Sequence, residues 1–379
     1  MAAVSYTLEV GGQRASPELL SAVRGVEIED HADLADMLRL RLAVSVGPDG
    51  REWTLLDGGQ FTRLTNVKVA AAIGSATPEP LIDAYVIDIR ATLSPEPGGS
   101  ILEVVAMDAT VLMSLEEKVR AWPDVSDSSI ASTIFGEHGF TLDVEDTEPV
   151  RQESDAATIQ RGSDIQHLRR LAERNGYECF VEVAAGGQTT AHFHSPRLDE
   201  EPQGTLNVNL GTATNVDEFK ARNDMLRPTT AQARSLDVST QEAQPTDVTD
   251  VAATRLGSAA TVAADRPRRV LLSGTGLSSG GELQTLAQAV VDRSAWAIVA
   301  EGTLNSAAFG RALRAKRPVL VRGAGTELSG TYYVERVLHT FDASGWTQSF
   351  RLRRNASGVT RQERFQESGA ASPQPAVSV

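Results

Sequence analysis

The chain has a single cysteine, Cys179, in 379 residues. One thiol excludes an intrachain disulfide framework and a thiolate-rich metal site, and points to folding in a reducing compartment. Aromatic residues make up only 5%, with four tryptophans and five tyrosines. That is too few for the stacking platforms expected of carbohydrate-binding or single-strand nucleic-acid proteins. No run approaches the ~20 consecutive apolar residues of a membrane helix. The opening MAAVSYTLEVGGQRASPELL has neither a basic stretch nor a continuous apolar one, so no signal peptide is expected. Synthesis in a bacterial cytoplasm is the expectation, and four lysines against 32 arginines fit a GC-rich genome.

Positive charge is also in deficit. The net charge of −14 argues against a duplex nucleic-acid binder. The deficit is uneven: residues 1–260 carry 41 acids and 21 bases (net −20), whereas residues 261–379 carry 9 acids and 15 bases (net +6). Such asymmetry favours head-to-tail contact between copies, an acidic part against a basic one.

The hydrophobic fraction, 41%, is sufficient for real cores. At roughly 100–200 residues per domain, the length predicts two or three of them. Over 1–108 the pattern is β. Leu38, Leu40, Leu42 and Val44 alternate with Arg39, Arg41 and Ala43, and similar runs occur at 5–10, 23–30, 66–73, 84–93 and 101–107. Glycine- and proline-rich turns separate them, which predicts a small sandwich or barrel. Residues 109–200 read as an α+β domain. Helices are expected over 109–121, over 127–138 (Ile130, Ile134 and Phe135 inward) and over 163–175 (Ser163 as N-cap, with Ile165, Leu168, Leu171 and Ala172 as the stripe). The last of these should pack on a strand through Tyr177, Phe180 and Val181, the first half of a hairpin across Gly186-Gly187. Residues 201–355 return to β-patterning around an inserted loop and helix (228–300), in which 228–264 lacks a period and 282–298 is helical. A hairpin over 330–354 turns at 342–345. Its first strand places Val334 and Val337 on opposite faces by simple alternation, and Trp346 and Phe350 share a face of the return strand. Residues 356–379 form a tail without a core of its own. The fold class is therefore α+β, mainly β: two barrel-like β-modules with an α+β insertion between them.

Catalytic signatures are searched for and not found. Gly274 to Gly280 resembles a dinucleotide loop, but Ser279 stands at its third glycine position and no βαβ unit follows. His192 and His194 share a strand face, yet no HExxH or Cys/His cluster supplies a third ligand, so no metal site is expected. Cys179 lies in an apolar run and reads as a buried thiol. No Gly-x-Ser-x-Gly elbow is present. The acidic runs Glu116-Glu117 and Asp199-Glu200-Glu201 read as solvated faces, and the basic clusters Arg266, Arg268, Arg269 and Arg351, Arg353, Arg354 are short and lack interleaved stacking aromatics. No catalytic, cofactor-binding or metal residue is assigned, and the chain is not expected to be an enzyme.

Three stretches carry a family pattern: TLEVGGQRASPELLSAVRGVEIEDHADLADMLRLRL (7–42), the segment Ser128 to Phe135 leading to SDIQHLRRLAERNGYECFVE (163–182), and GTYYVERVLHTFDASGWTQSFRLRRN (330–355). In order and spacing they resemble the late control D family, the baseplate hub proteins of contractile phage tails. Relatives of that family form the hub portion of type VI secretion spike proteins and of contractile injection systems. The resemblance implies a homotrimeric ring whose two barrel-like domains per chain give six similar positions, joining a sixfold tail tube to a threefold spike. Its implied partners are the tail tube protein, other baseplate components and a separate spike protein, since nothing after Arg354 resembles a β-helical needle with Val-Gly repeats. No cofactor, membrane insertion or specific nucleic acid is implied, and the particle would be a phage virion or an injection system. The rival readings are a phage-tail-associated cell-wall hydrolase, which needs a carboxylate in a cleft, and a receptor- or carbohydrate-binding β-protein.

Overall fold

A computed structural model describes residues 4–47, 49–148, 158–184, 186–236, 243–261, 266–273, 280–360 and 363. The N-terminal strands are β1 (Val4–Val10), β2 (Gln13–Arg14), β3 (Val23–His31), β4 (Met37–Ala43), β5 (Asn66–Ile73), β6 (Glu79–Thr92) and β7 (Ile101–Asp108), with a short helix α1 (Pro17–Ala22). The alternation read from the sequence is realised here, because Leu38, Leu40 and Leu42 are all buried while Arg39 and Arg41 face outward.

The middle of the chain supplies β8 (Glu117–Trp122), α2 (Asp127–Glu137), β9 (Thr141–Val144), β10 (Thr158–Ser163), α3 (Asp164–Asn175), β11 (Glu178–Val183) and β12 (Thr189–His194). Ser126 caps α2 by accepting from the Ser129 N–H at 3.2 Å, and Gly176, at φ +71°, ends α3 in the left-handed conformation. Ile130, Ile134, Phe135, Ile165, Leu168 and Leu171 form one core. The helix expected over 109–121 is instead a 3-10 turn (Ala109–Ser114) followed by β8, which pairs antiparallel with β10. Its apparent stripe fails because Val119 is 84% exposed on that ribbon. Phe180 is not part of this core: strand alternation sends Cys179 and Val181 toward α3, while Phe180 stacks on His192 and lies 5.0 Å beneath the Lys316 ammonium.

The remainder comprises β13 (Thr205–Asn207), β14 (Val216–Asn223), β15 (Thr229–Leu236), β16 (Ala243–Val248), β17 (Ala259–Ala260), β18 (Arg268–Leu272), α4 (Gly280–Ser294), β19 (Ile298–Asn305), β20 (Pro318–Arg322), β21 (Gly330–Asp342), β22 (Gly345–Arg354) and β23 (Ala356–Ser357). The segment 228–264, expected as a loop, contributes β15 and β16, which form a three-stranded sheet with β18. Ala231 of β15 and Val248 of β16 pack with Ala287 and Val291 of α4, Ala233 is buried too, and alanine gives little β-signal in sequence. The helix expected over 282–298 ends at Ser294, and β19 begins four residues later. The continuous apolar run 295–300 had extended the helical pattern across that boundary. Of the tail, Ala356–Ser357 pairs with β17, while 361–362 and 364–379 lie outside the described residues, as do 274–279 of the glycine-rich loop.

The fold is α+β and mainly β, and the two β-halves are one sheet. Thirteen strands run in the order β14-β19-β22-β21-β3-β4-β7-β6-β5-β1-β2, with β20 on β21 and β13 on β20. The splice is antiparallel pairing of β21 with β3, from Arg336↔His31 to Phe341↔Val26. Phe341 and Trp346 accordingly enter the N-terminal core, whereas Tyr332, Val334, Val337, Phe350 and Leu352 belong to the C-terminal one. Val334 and Val337 therefore share a core and do not face opposite ways. The register shifts between Val334 and Arg336, and this bulge reverses the alternation.

Candidate functional site

Where the two halves and the middle unit meet, the chain buries charge. Asp30 ends β3, Asp36 precedes β4, Asp108 ends β7, and Arg314 and Lys316 precede β20; all five are at most 9% exposed. Lys316 Nζ donates to Asp30 Oδ1 at 2.7 Å and to both oxygens of Asp36 at 3.0 Å. Arg314 Nε donates to Asp30 Oδ2 at 2.9 Å, and Arg314 Nη1 to the Pro80 carbonyl at 2.6 Å. Asp108 Oδ2 accepts from the Asp36 N–H at 2.7 Å. Burial pushes the Asp30 carboxyl up, but Lys316 and Arg314 overcome it and hold Asp30 well below the usual carboxylate range. Burial raises Asp36 against the pull of Lys316, with Asp30 and Asp108 adding repulsion. Lys316 sits at φ +65°, a left-handed conformation that a lysine keeps only when its surroundings dictate it.

A second set lies along β22. Arg351 pairs with Glu335 and Glu301, and Arg353 with Glu178 and Asp33. Arg354 is fully buried and donates to the carbonyls of Leu256, Ser329 and Gly358. Gly330 lies against it: at φ +130°, an added Cβ would stand 2.5 Å from Arg354 Nη2. Of the basic cluster noted in the sequence, Arg354 and Arg353 are thus internal braces, while Arg351 stays partly exposed. The cleft between the α3–β11 corner, residues 195–200 and α4 has a volume of about 930 Å³ and includes Asp199, Glu200 and Glu178. Burial pushes the Glu178 carboxyl up to about 6. Both its oxygens are engaged, by Tyr333 Oη at 2.6 Å and Arg353 Nη2 at 2.8 Å. Glu116 and Glu117 are exposed. Burial pushes the Cys179 thiol up to about 12, which makes it inert.

The histidines separate by environment. His138 Nε2 lies 2.9 Å from Asp164. His192 and His194 on β12 do share a face, and parallel pairing with β9 sets Asp143 opposite His192. Together the three place one potential ligand atom each within 4.8 Å of the others, the third member that spacing along the chain could not supply. His339 is fully buried, with neither ring nitrogen hydrogen-bonded. Desolvation lowers its pKa to about 3, with Asp30 raising and Arg314 lowering it. An unfolded histidine titrates near 6.5, so from pH 6.5 down to about 3 the unfolded chain binds the extra proton. Stability should therefore fall on acidification through that window, by up to about 1.4 kcal/mol per pH unit from this residue. His339→Leu is expected to be more stable than the parent at pH 5 and to flatten the loss between pH 7.5 and 5. Urea midpoints at the two pH values measure this; an unchanged slope would contradict it.

A family model described as the Alg8 N-terminal domain matches residues 4–343. Among solved structures, the chain is similar to the 43 kDa tail protein of prophage MuSo2 from Shewanella oneidensis, at 14% identity and TM-score 0.65, covering 93% of this chain and 99% of that one. It is similar to a tail protein from Neisseria meningitidis MC58 at 12% identity and TM-score 0.62, covering 93% and 97%. The E. coli c3393 protein matches at 11% identity and TM-score 0.56, covering 98% and 81%; it is described as a component of the type VI secretion system with structural similarity to T4 bacteriophage tail proteins gp27 and gp5. At these identities the likeness is one of fold. No curated protein matches the chain in sequence. Among the described residues, no helix is long and apolar enough to cross a membrane.

Proposed function

The chain belongs to the Alg8 N-terminal domain family, and from its fold we propose that it is a structural baseplate hub of a contractile injection machine, of the late control D type. The observation that carries this reading is the single sheet in which two β-halves are spliced through β3 and β21. Three such chains would present six β-halves, the number needed beneath a sixfold tail tube, while keeping the threefold symmetry of a spike. The buried charges at the junction support a rigid role: they fix the angle between the halves and perform no chemistry. The −20/+6 division of charge supports head-to-tail contact around a ring. In this reading the chain is made in the cytoplasm and built into a phage virion or injection particle, with a separate spike protein and the tail tube as its neighbours.

Native mass measurement of the purified protein, alone and mixed with its spike and tube proteins, tests the proposal. A trimer, free or formed on the spike, is expected. A strict monomer in the presence of both partners would sink it.

A further inference from the structure

Where β12 pairs with β9, His192 and His194 of β12 and Asp143 of β9 converge, one potential ligand atom of each within 4.8 Å of the others. We propose that Asp143, His192 and His194 form a site for a first-row divalent cation, with zinc the best fit. His192 Nδ1 lies 2.8 Å and His194 Nε2 3.9 Å from the same oxygen, Asp143 Oδ2. Ligands about 2.0–2.2 Å from a tetrahedral zinc stand about 3.3–3.6 Å apart, and these two distances bracket that value. Small side-chain rotations would equalise them around an ion. Two imidazoles and one carboxylate select zinc-like cations over calcium or magnesium.

The far side of each ring supports the assignment. His194 Nδ1 is 2.8 Å from the Ser195 carbonyl, which can only accept, so Nδ1 carries a proton, and in the neutral ring Nε2 keeps its lone pair 3.9 Å from Asp143 Oδ2. A lone pair aimed at an anion is unfavourable unless a cation lies between them. His192 Nε2 is buried without a hydrogen-bond partner, 3.6 Å from Glu182 Oε1. A cation on Nδ1 would move the ring proton to Nε2, where Glu182 can accept it; this is the carboxylate–imidazole–metal arrangement of protein zinc sites. Arg197 Nη2 occupies the other oxygen of Asp143 at 2.6 Å, which leaves Oδ2 for the ion. Phe180, stacked on His192 with ring centroids 4.5 Å apart, holds that ring in place. The Asp143 side chain is 30% exposed, so an ion can enter and keep a water as its fourth ligand.

The test uses the full chain, stripped with a chelator and titrated with zinc against a chromophoric competitor. One zinc per chain is expected, with a raised melting temperature, whereas magnesium should have no effect. Asp143→Asn and His194→Gln should each weaken zinc binding at least tenfold, and Glu182→Gln by about 10–100-fold. His31→Gln, remote from the cluster, should bind as the parent does. If His194→Gln does not fold, the partly exposed Asp143→Asn decides. Absence of saturable binding, or binding unchanged in Asp143→Asn, would overturn the assignment and leave a His–Asp hydrogen bond.

Discussion

Replacing Lys316 by methionine is expected to destabilise the protein by about 3–5 kcal/mol, the usual cost of removing one partner from a buried ion pair. Methionine keeps the length and the apolar stem and meets the same backbone constraint at φ +65°, so the comparison isolates the ammonium. That group is the one donor shared by Asp30 and Asp36. Without it, Arg314 is left as the charged partner of the buried carboxyls of Asp30, Asp36 and Asp108. Adding Asp36→Asn removes one of the three while its side-chain oxygen can still accept from the His31 N–H, as Asp36 Oδ1 does at 2.8 Å. The double variant should therefore regain part of the loss. Urea unfolding of parent, single and double variants measures both effects. A single variant within about 1 kcal/mol of the parent would mean that the junction charges are hydrated.

Trp346→Ala is expected to cost about 3–5 kcal/mol, as for other large aromatic side chains removed from a core. Trp346 is 7% exposed, stacks on Phe341 at 4.9 Å between centroids and lies 5.7 Å from His339. It stands on a C-terminal strand but fills the N-terminal core, so the cavity would open where the two halves are spliced. Its Nε1 is buried without a partner. Trp346→Phe discards that orphan donor and keeps most of the packing, so it should cost under about 1.5 kcal/mol. Equal losses for the two variants would show that the indole N–H, and not the ring volume, matters.

Sequence pattern made the strongly periodic elements legible. Helix α3 runs from its serine cap to its glycine stop, α2 buries its expected residues, and the β21–β22 hairpin turns where the Asp-Ala-Ser-Gly segment predicted. The pattern failed where its carrier was weak or interrupted. Ala231 and Ala233 are buried on a strand with side chains that give little β-signal, the run 295–300 is apolar across a helix–strand boundary, and the bulge beside Glu335 inverts alternation within a single strand. The junction was invisible for a different reason. Asp30 and Lys316 are separated by 286 positions, and each alone reads as an ordinary surface charge. Asp143 and His192, 49 positions apart, meet only through the parallel pairing of β9 with β12.

The pairing of β3 with β21 also sets a timetable for synthesis. Residues 23–31 leave the ribosome about 300 residues before the strand that covers their edge, at 330–342. All of the chain between them must be translated before that edge closes. Contacts of such sequence separation slow folding, because a long loop must be closed before they form. Until then the N-terminal half exposes an unpaired strand with Val26 and Ile28 on one face, a template for pairing with another nascent copy. The acidic excess over residues 1–260 gives the waiting half a charge that repels its own kind during that interval.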